Sequence, residues 1–149
     1  MHLKIRDGTI DDAIDALPMI RLMMPEHEQL TEEGMRSLLE RRKHGIKVVE
    51  LDGHTTGVNI WYEDTDHESK DDSPALYLWI GANAIHNFGV MEGVLRQLDT
   101  ETRYGRWHTR TAIDRPALLH ALKKYDFNEY RMEGNIVHLE RYTPKEQYV

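Results

Sequence analysis

The chain has 149 residues, a formal net charge of −7 and no cysteine. The length fits one domain around a single core, expected over residues 1–149. The charge argues against general nucleic-acid binding, and the missing cysteine excludes disulfides, thiolate metal sites and a cysteine nucleophile. No stretch approaches the roughly 20 apolar residues of a membrane span. The start "MHLKIRDG" has no apolar signal region, so a cytoplasmic chain is expected.

"LKIRDG" (3–8) alternates and stops at Asp7-Gly8, which predicts a short strand and a turn. Thr9 is placed as an N-cap with Asp12 as its capping-box acid. Ile10, Ala13, Ile14 and Leu17 form a helical stripe, and Pro18 should kink or divide that helix. Thr31 opens a second helix, "TEEGMRSLLERRKHG". Acids fall in its first turn, Arg41, Arg42, Lys43 and His44 in its last, and Gly45 is expected just past its end. "IKVVEL" (46–51) and "TGVNIWY" (56–62) flank Asp52-Gly53 and read as a β-hairpin. "EDTDHESKDD" (63–72) holds six acids and one lysine without EF-hand spacing, which reads as a solvated hairpin loop rather than a cation site.

"PALYLWIGANA" (74–84) is the most apolar strand candidate and therefore a central one. A helix follows over 90–103 with Val90, Val94, Leu95 and Leu98 inward, then a strand, "RWHTRTAI" (106–113). Asp114 is expected to cap the next helix, with Pro116 in its first turn and Ala117, Leu118, Ala121 and Leu122 inward. "FNEYRM" (127–132) and "NIVHLERY" (135–142) form a closing hairpin around Glu133-Gly134. The order β-α-α-β-β-β-α-β-α-β-β predicts an α/β fold of the α+β mixed-sheet kind. Its sheet is mostly antiparallel, with one parallel β-α-β crossover from Ala75 to Ile113 and helices on both faces.

Nine histidines are dispersed with no His-x-x-x-His or His-Glu-x-x-His spacing, so scattered surface histidines are preferred to a zinc site. No Walker loop, Rossmann fingerprint or Gly-x-Ser-x-Gly motif is present. Trp61, Trp79 and Trp107 fall on three strands, where aromatics more often pack than line a groove. Residues 86–125 carry seven Lys/Arg against four acids, a local +3 in a chain of −7. That segment could hold an anionic ligand, although helix surfaces carry Lys and Arg by default.

The element order resembles that of the GCN5-related N-acetyltransferases, the GNAT superfamily. "IRDGTIDDAIDALPMI" is similar to the family's first strand and helix, "VVELDGHTTGVNIW" to its central hairpin, and "DRPALLHALKKYDFNEYR" to its last helix and following strand. The short acetyltransferase-like proteins of tailed phages are a looser resemblance. The likeness implies acetyl-CoA as co-substrate, transferred to an amine on a small molecule or a protein. Pantetheine amides would pair with backbone around Trp79, Ile80 and Gly81, where two parallel strands splay. The pyrophosphate would meet the turn His86-Asn87-Phe88-Gly89-Val90-Met91, with Arg115 a further contact. A helix N-terminus suits this role because its amides are unpaired and its dipole end is positive.

The family's turn is Arg/Gln-x-x-Gly-x-Gly/Ala. Here Gly89 is retained, His86 stands for the Arg/Gln and Met91 for the small residue. His86 is either a phosphate donor or a surface turn residue. The family often has a tyrosine on the last helix; its position here is Leu122, and Tyr125 lies one helical turn on. Tyr125 either protonates the departing thiolate or is a core aromatic. Glu50, Glu63 and His108 are candidate bases for the attacking amine. The resemblance also admits a homodimer. It leaves a second reading, a non-catalytic interaction, regulatory or virion protein with a degenerate cofactor site.

Overall fold

The computed structural model describes residues 2–65, 74–85 and 88–142. In chain order it has β1 (Leu3–Asp7), α1 (Ile10–Asp15), α2 (Leu17–Met23), a 3-10 turn (Pro25–His27), α3 (Glu32–Arg41), β2 (His44–Leu51), β3 (His54–Asp64), β4 (Ala75–Asn83), α4 (Phe88–Glu101), β5 (Arg106–Ala112), α5 (Pro116–Lys124), β6 (Asn128–Glu133) and β7 (Ile136–Tyr142). The strands form a seven-stranded sheet in the order β1-β2-β3-β4-β5-β7-β6. Among the described residues β4 and β5 pair parallel, while β1–β2, β2–β3, β5–β7 and β6–β7 pair antiparallel. This is the mixed α/β sheet expected from the sequence. The chain divides into two compact units, Met1–Tyr62 with Trp79–Ile85, and Glu63–Leu78 with His86–Val149.

In the first unit the local signals act as written. The Thr9 side chain accepts from the Asp12 amide at 3.2 Å, and Asp12 accepts from the Thr9 amide at 2.8 Å, closing a capping box. Arg6 adds a guanidinium contact to Asp12 at 3.2 Å. Pro18 divides the first helix: it lacks an amide and its ring clashes with the preceding turn, so α2 restarts at Leu17 after Ala16. Thr31 accepts from the Gly34 amide at 3.0 Å and starts α3. Asp52 and Gly53 take φ of 50° and 85°, the paired positive values of a tight hairpin turn.

The core of this unit joins Leu17, Ile20, Met35 and Leu39 of the helices to Ile46, Val48, Val58, Ile60, Ile80 and Ala82 of the strands. Each of these side chains larger than alanine stabilises by about 1.5–3 kcal/mol when fully buried.

One expectation fails here. α3 stops at Arg41, Arg42 is already extended, and Gly45 lies inside β2 rather than past a helix end. The reason is nonlocal: a Cβ on Gly45 would come within 2.2 Å of the Trp61 indole nitrogen. Glycine is needed for that close approach across the hairpin, where Gly45 is paired with Trp61.

In the second unit α4 buries Val90, Val94, Leu95 and Leu98, as the sequence spacing predicts, and spans 88–101 rather than 90–103. α5 buries Ala121 and Leu122, but Ala117 is exposed and Leu118 only half-buried, which corrects the broader stripe. Asp114 does not cap α5. The cap position falls on Arg115, whose side chain makes no capping bond. Pro116 explains the shift: it favours the first helical position and pushes the residue before it out of the helical region. Trp107 and Phe127 pack with ring centroids 6.4 Å apart, both 1% exposed. The last hairpin turns at Gly134-Asn135, one residue later than Glu133-Gly134, with Gly134 at φ 59°.

Candidate active site

Three regions carry the residues singled out by sequence. The first is the second half of β4. The parallel register with β5 runs from Leu76↔Trp107 to Leu78↔Thr109, and β4 continues to Asn83. Ile80 turns its side chain into the core at 3% exposure, so a ligand could meet only its backbone. Trp79 and Gly81 are half-buried. The Trp79 ring stands edge-on to Tyr62 at 5.7 Å and to His27 at 5.8 Å. The end of the strand is fixed by reciprocal amides, Asn59 to Asn83 at 3.0 Å and Asn83 to Asn59 at 2.9 Å. Gly57 permits this, since a Cβ there would fall 2.1 Å from the Asn83 side-chain oxygen.

The second region is the start of α4. His86 and Asn87 lie outside the described residues. The helix begins at Phe88, so Gly89 is its second residue, and it is exposed. Val90 is 1% exposed and can offer only its amide; Met91 is half-buried. No acid occupies the first turn. Glu92, the first acid, is engaged by Arg96 at 3.2 Å and Lys124 at 3.7 Å. A helix start without acids leaves the positive end of its dipole uncompensated by its own sequence.

The third region is the face of β5 that carries Arg106, His108 and Arg110, which alternation places on one side. His108 Nε2 lies 3.1 Å from Asp64 Oδ2, at the end of β3. The Tyr77 ring stacks on the His108 ring at 4.7 Å and 26°. The Arg110 guanidinium stands 6.0 Å from the centre of the Tyr77 ring. Arg106 donates to Glu140 at 3.0 and 3.1 Å. Burial, opposed by the charge of Arg110, pushes the Tyr77 hydroxyl above its ordinary range, so it stays a phenol.

The three candidate bases now differ in chemistry. Glu63 accepts from the Tyr104 hydroxyl at 2.7 Å; burial first, then this bond, drives Tyr104 well above its ordinary range. Glu50 lies 3.4 Å from Arg6. Both carboxylates are already engaged by a partner. Asp64, in contrast, compensates the charge that His108 gains on accepting a proton. Tyr125 ends α5 at its C-cap, half-buried, with the Arg141 guanidinium 5.4 Å from its ring. Arg115 is the residue before α5. Sequence reasoning missed Asp64, Tyr77 and Arg110. The signal for Arg110 was present in the alternation Arg106, His108, Arg110; Asp64 sits 44 residues from His108 and had none. Among the described residues no group of three or more His, Asp or Glu side chains is placed to hold a metal ion, and no helix is long and apolar enough to cross a membrane.

No family model matches the chain, and no curated protein matches its sequence. Solved structures do. A GNAT-family acetyltransferase from Streptococcus pneumoniae is similar at TM-score 0.70 and 15% identity, over 96% of this chain and 100% of that one. A GNAT-family acetyltransferase from Elizabethkingia anophelis, with acetyl-CoA bound, is similar at TM-score 0.65 and 14% identity, over 95% and 98%. The PaiA N-acetyltransferase of Thermoplasma acidophilum, in complex with coenzyme A, is similar at TM-score 0.70 and 9% identity, over 96% and 100%. The fold of this chain is the GNAT fold.

Proposed function

We propose that the protein is an acyl-CoA-dependent N-acyltransferase that uses acetyl-CoA and an amine acceptor. The observation that carries this reading is the start of α4: an exposed glycine at the second helical position and no acid in the first turn. Similar folds occur in structures that hold acetyl-CoA or coenzyme A. In this reading the pyrophosphate lies at the start of α4, with Arg115 as a further cation. The β4 backbone at Trp79, Ile80 and Gly81 takes the pantetheine amides. The chain's own chemistry is modest: it holds thioester and amine together, accepts a proton from the amine and returns one to sulfur. His108 is the base favoured by its Asp64 partner, and Tyr125 supplies the proton to the thiolate.

Thermal unfolding in the presence of acetyl-CoA tests this. At 100 times its dissociation constant the ligand should stabilise the fold by about 2.7 kcal/mol. No shift at millimolar acetyl-CoA or other acyl-CoAs would overturn the reading. Such a result would favour a non-catalytic member of the fold, in which Met91 stands where the family keeps a small residue.

A further inference from the structure

We infer that Arg141 is a positioning residue for acetyl transfer: anchored by Asp99 and stacked on Trp107, it fixes the Tyr125 ring and leaves the Tyr125 hydroxyl to protonate the departing thiolate. This rests on the N-acyltransferase reading and assigns a further residue to the same site. Tyr125 needs a partner from outside its own helix. It is the C-cap of α5, half-buried, and Asp126 after it turns left-handed at φ 69°. Helix ends fray, and no further turn of α5 follows to hold the ring.

Arg141 of β7 supplies the contact. Its guanidinium stands 5.4 Å from the centre of the Tyr125 ring and 4.8 Å from that of Trp107. Both distances lie within the roughly 6 Å reach of a cation–π contact, which strengthens as the cation loses water. The Arg141 side chain is 12% exposed, and Trp107 below it is buried. Asp99 of α4 sets the plane of the guanidinium. Asp99 Oδ2 accepts from Nη2 at 3.1 Å, and Oδ1 lies 3.1 Å from Nη1. The first contact is a hydrogen bond. The second is ionic, since the buried Nη1 has no aligned acceptor among the described residues. A planar guanidinium on two rings is a contact that lysine does not reproduce.

The hydroxyl separates positioning from mere packing. Tyr104 donates its hydroxyl to Glu63 at 2.7 Å. The Tyr125 hydroxyl has no hydrogen-bond partner among the described residues. Tyrosine hydroxyls that are buried usually find one. A phenylalanine would fill the same contact with Arg141, so the ring is held and the hydroxyl is left over. The step balances as follows: the amine lone pair forms the N–C bond, and the C–S bond breaks with its electron pair on sulfur. The thiolate takes the Tyr125 proton, and the phenolate regains, through solvent, the proton released as the amide forms.

The test uses hydroxylamine as the acceptor, because it is neutral at neutral pH and attacks without a protein base. Coenzyme A thiol release above the uncatalysed rate gives kcat and the KM for acetyl-CoA. Tyr125→Phe should lower kcat by about 100-fold. Arg141→Gln should lower kcat by about 10-fold with KM unchanged, and the double variant should be no slower than Tyr125→Phe alone. Asp99→Asn keeps the stack and loosens its anchor, so it should lower kcat less, in the same sense. A fluorine label on the tyrosines reads the ring without activity. The signal lost in Tyr125→Phe should move toward that of free tyrosine in Arg141→Gln. An unchanged kcat or label signal in Arg141→Gln, or losses that multiply in the double variant, would overturn the inference. Full activity in Tyr125→Phe would overturn it too, while leaving the acyltransferase reading in place. Failure of acetyl-CoA to stabilise the wild-type chain is a separate outcome that removes that reading and this one with it.

Discussion

The starts of α1, α3, α4 and α5 fall into two kinds, while α2, with Pro18 in its first turn, has neither a side-chain cap nor an acid. α1 and α3 begin with a threonine whose hydroxyl accepts a backbone amide, followed by acids: Asp11 and Asp12 in one, Glu32 and Glu33 in the other. α4 and α5 have no acid in the first turn, and α5 has no side-chain cap at all. A chain with 26 Asp and Glu does not lack acids for these places. A capped, acidic start satisfies its own amides and offsets its own dipole; a start without acids leaves the dipole without that offset. Stability and ligand binding should therefore respond in opposite ways to the same substitution at the two kinds of start.

The largest expected effect is at α4. Gly89→Glu places a carboxylate in the first turn and replaces a poor helix former. The variant should be more stable without ligand, by about 0.3–1 kcal/mol from the dipole. It should also lose acetyl-CoA binding by about 100-fold or more, because the added charge takes the place of the phosphate and repels it. Unfolding curves with and without acetyl-CoA read both changes together. A variant that is stabilised yet binds as before would put the cofactor elsewhere.

Asp12→Ala breaks the other kind of start. It removes the reciprocal half of the capping box and the Arg6 contact, at an expected cost of about 1–2 kcal/mol, with acetyl-CoA affinity unchanged. The effect depends on pH. Arg6 first, and the Thr9 amide second, hold the Asp12 carboxyl below its usual value of 3.8. A lowered carboxyl contributes its stability above the unfolded value and loses it as pH falls through the folded one. The gap between wild type and variant should be full at neutral pH and shrink as the pH drops below about 4. Denaturant midpoints at pH 7 and pH 3 check this; an equal gap at both would show that Asp12 acts through packing.

Much of this contrast is legible in the sequence, because caps and turns are local. Thr9 with Asp12, Thr31, Pro18 and Asp52-Gly53 each act within four residues of their signal. So does the Val90, Val94, Leu95 and Leu98 stripe, whose spacing gives the buried face of α4. What was misread depends on contacts made across the fold. Gly45 looks like a helix terminator until Trp61 is seen against it. Asp114 has the right side chain for a cap, but Pro116 moves the cap position one residue on. The Asp64–His108 pair and the Tyr77 stack join three strands, so no spacing rule finds them. The turn residues His86 and Asn87, central to the phosphate expectation, lie outside the described residues.

The smallest effect concerns the far end of α5. The Phe127 amide donates to the Leu122 carbonyl and the Asp126 amide to the Lys123 carbonyl, each at 3.1 Å. That six-to-one and five-to-two pair is a Schellman ending, and it requires a left-handed residue at Asp126, which has φ 69°. An aspartate there bears a left-handed cost of about 1–2 kcal/mol and places an acid at the negative end of the helix dipole. Asp126→Gly removes both and gains a more flexible unfolded chain in exchange. The net should be a stabilisation of about 0.5–1 kcal/mol, a rise in melting temperature of about 1–4 °C. Asn128 bonds the Asp126 backbone carbonyl, so its contact survives the change. Acetyl-CoA affinity should not move, since this end of α5 offers carbonyls rather than amides. If affinity rises with stability, the ending is coupled to the site through Tyr125, the residue just before it, and the proton donor is positioned by that left-handed turn.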